Sequence, residues 1–180
     1  MTDTQRSLAT LASLLADNSL GAISAQDLRD AVLATIQPGY AEMYISGSSA
    51  TTLGDTSTWV QVGGTYTLTD SSSNWTMGVN GQLLYGGTED REVQLWATAS
   101  LTSAGTNDQL QFAFAKDGAV LTPSIVQRYV TTGTDVGALA VIGHTDVSSG
   151  EYLSLVTRNI SAAADTTALY ATVLLVDFAA

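Results

Sequence analysis

One histidine and 17 carboxylates are all that this chain offers for acid–base or metal chemistry. Any serine triad would have to use His144, yet the surrounding VIGHTDVSSG has no nucleophile elbow, and a lone histidine near a strand end reads as a solvated or core residue. The densest acidic spots are Glu89-Asp90 with Glu92, and Asp146 with Glu151. Neither has the D-x-[DN]-x-[DN]-G spacing of a calcium loop, so they read as solvated turn residues, with a weak calcium site as the alternative. Paired carboxylates can hydrolyse glycosides, but Asp and Glu are sparse at strand positions here. A cysteine count of zero removes disulfides, thiolate metal sites and cysteine nucleophiles together. SLGAIS and YGGTED contain no phosphate-cradling pattern. Asn74-Trp75-Thr76 and Asn159-Ile160-Ser161 match the glycosylation acceptor, but no signal peptide is expected and the match reads as accidental. The expectation is a protein that is not an enzyme, with no cofactor and no resident metal.

Trp59, Trp75 and Trp96, with Tyr44, Tyr66, Tyr85 and Tyr152, could form a sugar-binding face. Residues of this kind more often fill a core or a subunit contact, and that is what is expected of them here.

The composition points the same way. Charged residues make up 13% of the chain, about half the usual share for a soluble domain. Mean hydropathy is +0.17. Either Ser, Thr, Asn and Gln supply the polar surface, or part of the surface is hidden between subunits, which lets an obligate oligomer stay soluble with fewer charges. A net charge of −11 repels nucleic acid and anionic membranes, so neither is expected as a partner. With no apolar run approaching eighteen residues, no spanning helix is expected.

The spacing predicts two short helices before Pro38-Gly39. Leu8, Leu11, Leu14 and Leu15 recur at three and four, and Asp17-Asn18-Ser19 ends that pattern. Ser24 with Asp27 resembles a capping box, and Leu28, Val32 and Ile36 line the second helix. Helices this short are marginal alone, so their stripes must pack against their own β-domain, sister subunits or a partner. Leu8, Leu11, Leu15, Leu28, Val32 and Ile36 are the candidate anchoring or trimer stripe. Residues 1–39 are thus expected to be a helical segment and 40–180 a β-domain.

From Tyr40 the period becomes two. YAEMYIS, TWVQV, TYTLT, WTMGVNGQLLYGG, REVQLWATASLTS, LQFAFAKDGAVL, SIVQRYVTT, ALAVIGHTDV, EYLSLVTRNIS and LYATVLLVDFA alternate as half-buried strands do. Asn80-Gly81 fits a type I′ hairpin turn, and Asp117-Gly118 a second tight turn. The stretches SGSSATTLGDTST and TSAGTND read as long links. About ten strands without intervening helices predict a mainly β, antiparallel sandwich, jelly-roll or immunoglobulin-like.

Taken together, EMYIS, TWVQVGGTYTL, NGQLLYGGTEDREVQLWATASL, LQFAFAKDGAVLTPSIVQRYV and DVGALAVIGHTDVSSGEYLSLVTRN resemble the trimeric jelly-roll module of tailed-bacteriophage structural proteins, itself similar to the C1q and tumour-necrosis-factor family. The helical LASLLADNSLGAISAQDLRDAV resembles the segment that precedes such modules in head-fibre, decoration and tail-fibre proteins. The resemblance covers about Glu42 to Ala180 and implies an antiparallel jelly-roll β-sandwich, preceded by a short two-helix segment, in a homotrimer whose subunits pack about an axis. It brings no catalytic residues. The function it implies is that of a virion protein on the capsid exterior, made in the host cytoplasm. Its role there is capsid decoration or cement, binding the major capsid protein and stabilising the head shell. The alternative is a receptor-binding head-fibre or tail-fibre protein that recognises host glycans. Many fibre relatives carry long shafts, and the brevity of this chain suits a knob seated on a shell.

Overall fold

Alternation of apolar and polar residues becomes two stacked antiparallel sheets in the computed structural model, which describes residues 38–72, 74–131 and 134–179. The expected two-helix segment, and with it the stripe Leu8, Leu11, Leu15, Leu28, Val32 and Ile36, lies outside the described residues. The strands in chain order are β1 (Tyr40–Ser48), β2 (Ala50–Thr51), β3 (Val60–Gln61), β4 (Gly64–Ser71), β5 (Trp75–Met77), β6 (Leu83–Tyr85), β7 (Arg91–Ser103), β8 (Asp108–Lys116), β9 (Ala119–Val120), β10 (Val126–Val130), β11 (Gly137–Val147), β12 (Tyr152–Asn159) and β13 (Thr166–Ala179).

Sheet I runs β11-β7-β13-β1-β4, with β2 added to β13. Sheet II runs β10-β8-β12-β6-β5, with β3 on β12 and β9 on β8. The chain passes repeatedly from one sheet to the other, so strands far apart in sequence lie side by side, as in the β1–β13 ladder where Tyr40 meets Val176. This is jelly-roll connectivity.

The core forms where the inward residues of both sheets meet. Along β7, Val93, Leu95, Ala97, Ala99 and Leu101 are buried, and they face Leu110, Phe112 and Phe114 of β8 and Leu153 and Leu155 of β12 in one cluster. Each large side chain removed from water contributes about 1.5–3 kcal/mol of gross transfer free energy. Gly143 sits on β11 because a Cβ there would lie 2.9 Å from the Phe114 ring.

Both predicted tight turns are present. Asn80 (φ 56°) and Gly81 (φ 77°) occupy the left-handed region at the tip of the loop joining β5 to β6, with the Gln82 amide bonded back to the Val79 carbonyl. Asp117 (φ 48°) and Gly118 (φ 79°) join β8 directly to β9, where Lys116 pairs with Ala119. Two details depart from the sequence reading. The link after Ser48 contains a strand, since Thr51 pairs with Thr166 of β13. Of TWVQV only Val60 and Gln61 join a ladder, because Trp59 turns across the outside of sheet II.

Candidate functional site

The residues with chemical potential are scattered. His144 lies on the outward face of β11, with Nε2 3.8 Å from Oε2 of Glu92 on neighbouring β7. Asp146 and Glu151 flank Lys116, whose Nζ is 3.5 Å from Oδ2 of Asp146 and 3.3 Å from Oε2 of Glu151. Desolvation works against the Lys116 charge, but those two carboxylates outweigh it and raise its proton affinity above the ordinary value. The Asp146 carboxyl is held below its usual value by its own backbone amide and then by Lys116. Among the described residues, no group of three or more His, Asp or Glu is gathered as a metal site requires. Nor is any helix there long and apolar enough to cross a membrane.

The aromatic residues do not form one platform. Trp75, Tyr66 and Tyr85 are in the core. Trp59 lies on the outside of sheet II beneath Arg158, whose guanidinium carbon is 4.6 Å from the ring centroid. Tyr44 and Trp96 face outward from sheet I.

The outward faces of the two sheets are treated differently by the chain, and this is the feature of the molecule that most resembles a site. On sheet II, Ala113, Ala115 and Val156 point outward yet are buried, because Trp59, Val120 and Ile125 fold over them. Arg158 extends that cover, donating from Nε to Oε1 of Gln111 at 2.8 Å and from Nη1 to the Ser57 carbonyl. On sheet I no such cover appears among the described residues. Tyr170 is 74% exposed, Ile142 64%, Phe178 43% and Tyr44 41%, with Tyr40 and Leu174 also open to solvent. Isolated exposed apolar side chains are ordinary, but six on one sheet face form a patch of the kind that marks an interface.

That face has two unlike halves. On β13 and β1 it carries large side chains: Tyr170, Leu174 and Phe178, then Tyr40 and Tyr44. On β7 and β11 it is hollowed. One shallow depression of about 470 Å³ is lined by Thr98, Ser100, Ala138 and Ala140, with Tyr170 at its border. A second, of about 530 Å³, is framed by Trp96, Ile142, His144 and Gln94 on the sheet and by Leu121 and Pro123 of the link before β10. Toward the Gly39 end the face turns acidic. Glu92 sits directly opposite Asp146, and Glu42 opposite Asp70. The Tyr40 hydroxyl donates to Oδ2 of Asp70 at 3.0 Å, and this bond raises the phenol above its ordinary value.

Sequence reasoning placed Tyr44 and Trp96 among the candidate aromatics but missed Tyr170, Phe178, Leu174 and Ile142. The signal was present in LYATVLLVDFA. Its inward set, Ala171, Val173, Leu175 and Asp177, alternates with an outward set, Tyr170, Thr172, Leu174, Val176 and Phe178, and each set has a single polar member. A strand apolar on both faces expects cover on both.

No family model matches the chain, and no curated protein matches it in sequence. Solved structures do resemble it. Murine APRIL superposes with a TM-score of 0.54 at 8% identity, over 79% of this chain and 100% of that one. The Eiger TNF of S. frugiperda gives a TM-score of 0.48 at 13% identity, over 79% and 94%. The globular domain of zebrafish complement 1qA gives 0.42 at 11%, over 79% and 97%. The likeness to murine APRIL agrees with the fold described above, an antiparallel jelly roll of two sheets.

Proposed function

We propose that this chain is a non-enzymatic structural protein that self-associates as a homotrimer through the outward face of sheet I. The observation that carries this reading is the contrast between the two sheets. Among the described residues, Trp59, Val120 and Ile125 cover the outside of sheet II, whereas Tyr40, Tyr44, Ile142, Tyr170, Leu174 and Phe178 stand open on sheet I. A second copy laid on that face removes apolar surface from water at about 25 cal/mol per Å² gross, and a contact of roughly 1,000 Å² or more outweighs the cost of association. Unlike halves favour a rotational arrangement, in which the aromatic half of one copy meets the hollowed half of the next and the contacts close into a ring. The number three comes from the sequence resemblance to phage modules, and the low charge content agrees with buried subunit surface.

The finer reading follows that resemblance. The trimer decorates the exterior of a tailed-phage head and binds the major capsid protein as a cement. A ligand that binds the assembled shell but not its separated subunits stabilises the shell by RT ln(1 + [L]/Kd), and three linked subunits gain avidity without one strong site.

Sedimentation equilibrium at micromolar concentration tests the first part, with a mass of three subunits expected and a lone subunit overturning it. For the second, purified heads with and without the protein are heated to their burst point. A higher burst temperature with the protein supports the cement role, and equal burst points count against it.

A further inference from the structure

On the outward face of sheet I the described ionisable groups are unbalanced. Glu42 comes from β1, Asp70 from β4, Glu92 from β7, and Asp146 from β11, together with the phenols of Tyr40, Tyr44 and Tyr170. The cation-forming side chain borne on that face is His144, the only histidine of the chain. Arg91, also on β7, turns inward to Asp177. Lys116 reaches Asp146 from β8 and is shared with Glu151.

Glu92 is thus the carboxylate whose nearby counter-charge depends on pH. Its cross-strand partner is Asp146, a like charge. Its nearest ion-pair partner is the His144 imidazole at 3.8 Å. Across the face, His144 has Gln94 directly opposite and Trp96 beyond, Asp146 two residues along its own strand, and the uncharged Leu121, Pro123 and Ser124 over the hollow. In the free subunit both partners are well exposed and water solvates Glu92. A neighbour that covers the hollow together with its margin, where Glu92 adjoins the lining residue His144, removes that water, and a carboxylate losing its hydration needs a compensating charge. An imidazolium at His144 supplies one.

We infer that His144 is a proton switch for self-association: burial of the β7–β11 hollow against a second copy takes up a proton from solvent onto His144, which then pairs with Glu92. The inference rests on the proposed association face. Histidine changes charge between about pH 5 and 8, so the effect falls in that window. The assembled state binds the proton more tightly than the free subunit, so assembly strengthens as pH falls and weakens as pH rises.

Sedimentation velocity over a concentration series, at constant ionic strength between pH 8.0 and 5.5, tests this directly. The concentration at half-assembly is expected to fall about three- to tenfold from pH 8.0 to 5.5, the scale of partial uptake of one proton per contact. The exposed substitution His144→Gln is expected to abolish that dependence, with folding checked by circular dichroism. Glu92→Gln, which needs no counter-charge, is expected to flatten it as well and to assemble more tightly than the parent at pH 8.0. A parent that assembles equally at every pH, or a His144→Gln variant that keeps the full dependence, overturns the switch while leaving the association face standing. A parent that stays monomeric at every pH overturns the association reading, and the switch with it.

Discussion

The indole N–H of Trp75 donates to Oδ2 of Asp177 at 2.5 Å, tying β5 of one sheet to β13 of the other through a carboxylate that is almost wholly buried. Oδ1 of the same carboxylate accepts the Gly39 amide at 3.0 Å, and the Arg91 guanidinium stands 4.0 Å away. Gly39 fits there because a Cβ would lie 2.0 Å from Oδ2. Trp75 also leans on Tyr85, with ring centroids 5.0 Å apart. One side chain thus fixes where the β-domain begins and how the sheets close at that end.

Asp177→Ala is therefore expected to cost about 3–5 kcal/mol in urea unfolding, since it leaves the Trp75 and Gly39 donors and the Arg91 charge without their acceptor. Asp177→Asn keeps the shape but presents an N–H to one of those donors, and about 2 kcal/mol is expected. A loss below about 0.5 kcal/mol in both variants, the range of ordinary surface changes, would remove the carboxylate from its assigned role.

Two of the left-handed glycines, Gly81 and Gly118, separate backbone strain from crowding. Gly81 has φ 77° and a Cβ there would lie 2.4 Å from the Tyr66 ring, whereas at Gly118, φ 79°, the nearest atom is the Tyr152 hydroxyl at 3.7 Å. Gly118→Ala is expected to cost about 1 kcal/mol, the backbone term alone. Gly81→Ala is expected to cost more than about 2 kcal/mol, because a packed ring must also move. Equal losses in thermal unfolding would contradict the crowding argument.

Both of those turns were legible in the sequence, because the need for positive φ at Asn80-Gly81 and Asp117-Gly118 is a local property of two residues. The long strands were legible for a similar reason, since in REVQLWATASLTS Val93, Leu95, Ala97, Ala99 and Leu101 mark the buried face, although Trp96 is apolar and faces outward. What depends on distant segments was not. Ala113 and Ala115 alternate with Phe112 and Phe114 as though they faced water, and they are buried because Trp59, from more than fifty residues away, folds over them together with Val120 and Ile125. The pairing of Thr51 with Thr166 is equally non-local. The sequence leaves His144 as either a solvated or a core residue, and it is exposed; its approach to Glu92 depends on the β7–β11 register. The proposed association face was half legible, since the apolar outward residues of β13 are written in LYATVLLVDFA, but the openness of sheet I among the described residues emerges only by comparison with the covered sheet II.

Burial holds the Tyr66 phenol well above its ordinary value, and its hydroxyl donates to the Val62 carbonyl at 2.9 Å. The folded state keeps this proton more tightly than the unfolded chain. Its contribution is therefore complete below the unfolded value of about 10 and is lost as pH rises beyond it. Tyr66→Phe is expected to lower stability at pH 7 by about 1 kcal/mol through the missing hydrogen bond. The same variant should lose less stability than the parent between pH 10 and 11.5 in urea titrations. Parallel alkaline limbs for the two proteins would show that Tyr66 does not govern that loss.

Tyr170 and Phe178 stand on the opposite side of β13 from the core, so folding and association can be separated by mutation. In the free subunit Tyr170 is 74% and Phe178 43% exposed, and replacing both by Ser is expected to shift subunit unfolding by no more than about 0.5 kcal/mol each. If the outward face of sheet I closes on a neighbour, these are aromatic anchors of the kind that dominate interface energetics. Their joint loss should then raise the half-assembly concentration by on the order of a hundredfold. Phe112→Ala supplies the converse. Its ring is fully buried between the sheets, so about 3–5 kcal/mol of folding stability should go, with assembly weakened only as far as the folded fraction falls. A Tyr170→Ser, Phe178→Ser double variant that sediments like the parent at every concentration would place the interface elsewhere on the molecule.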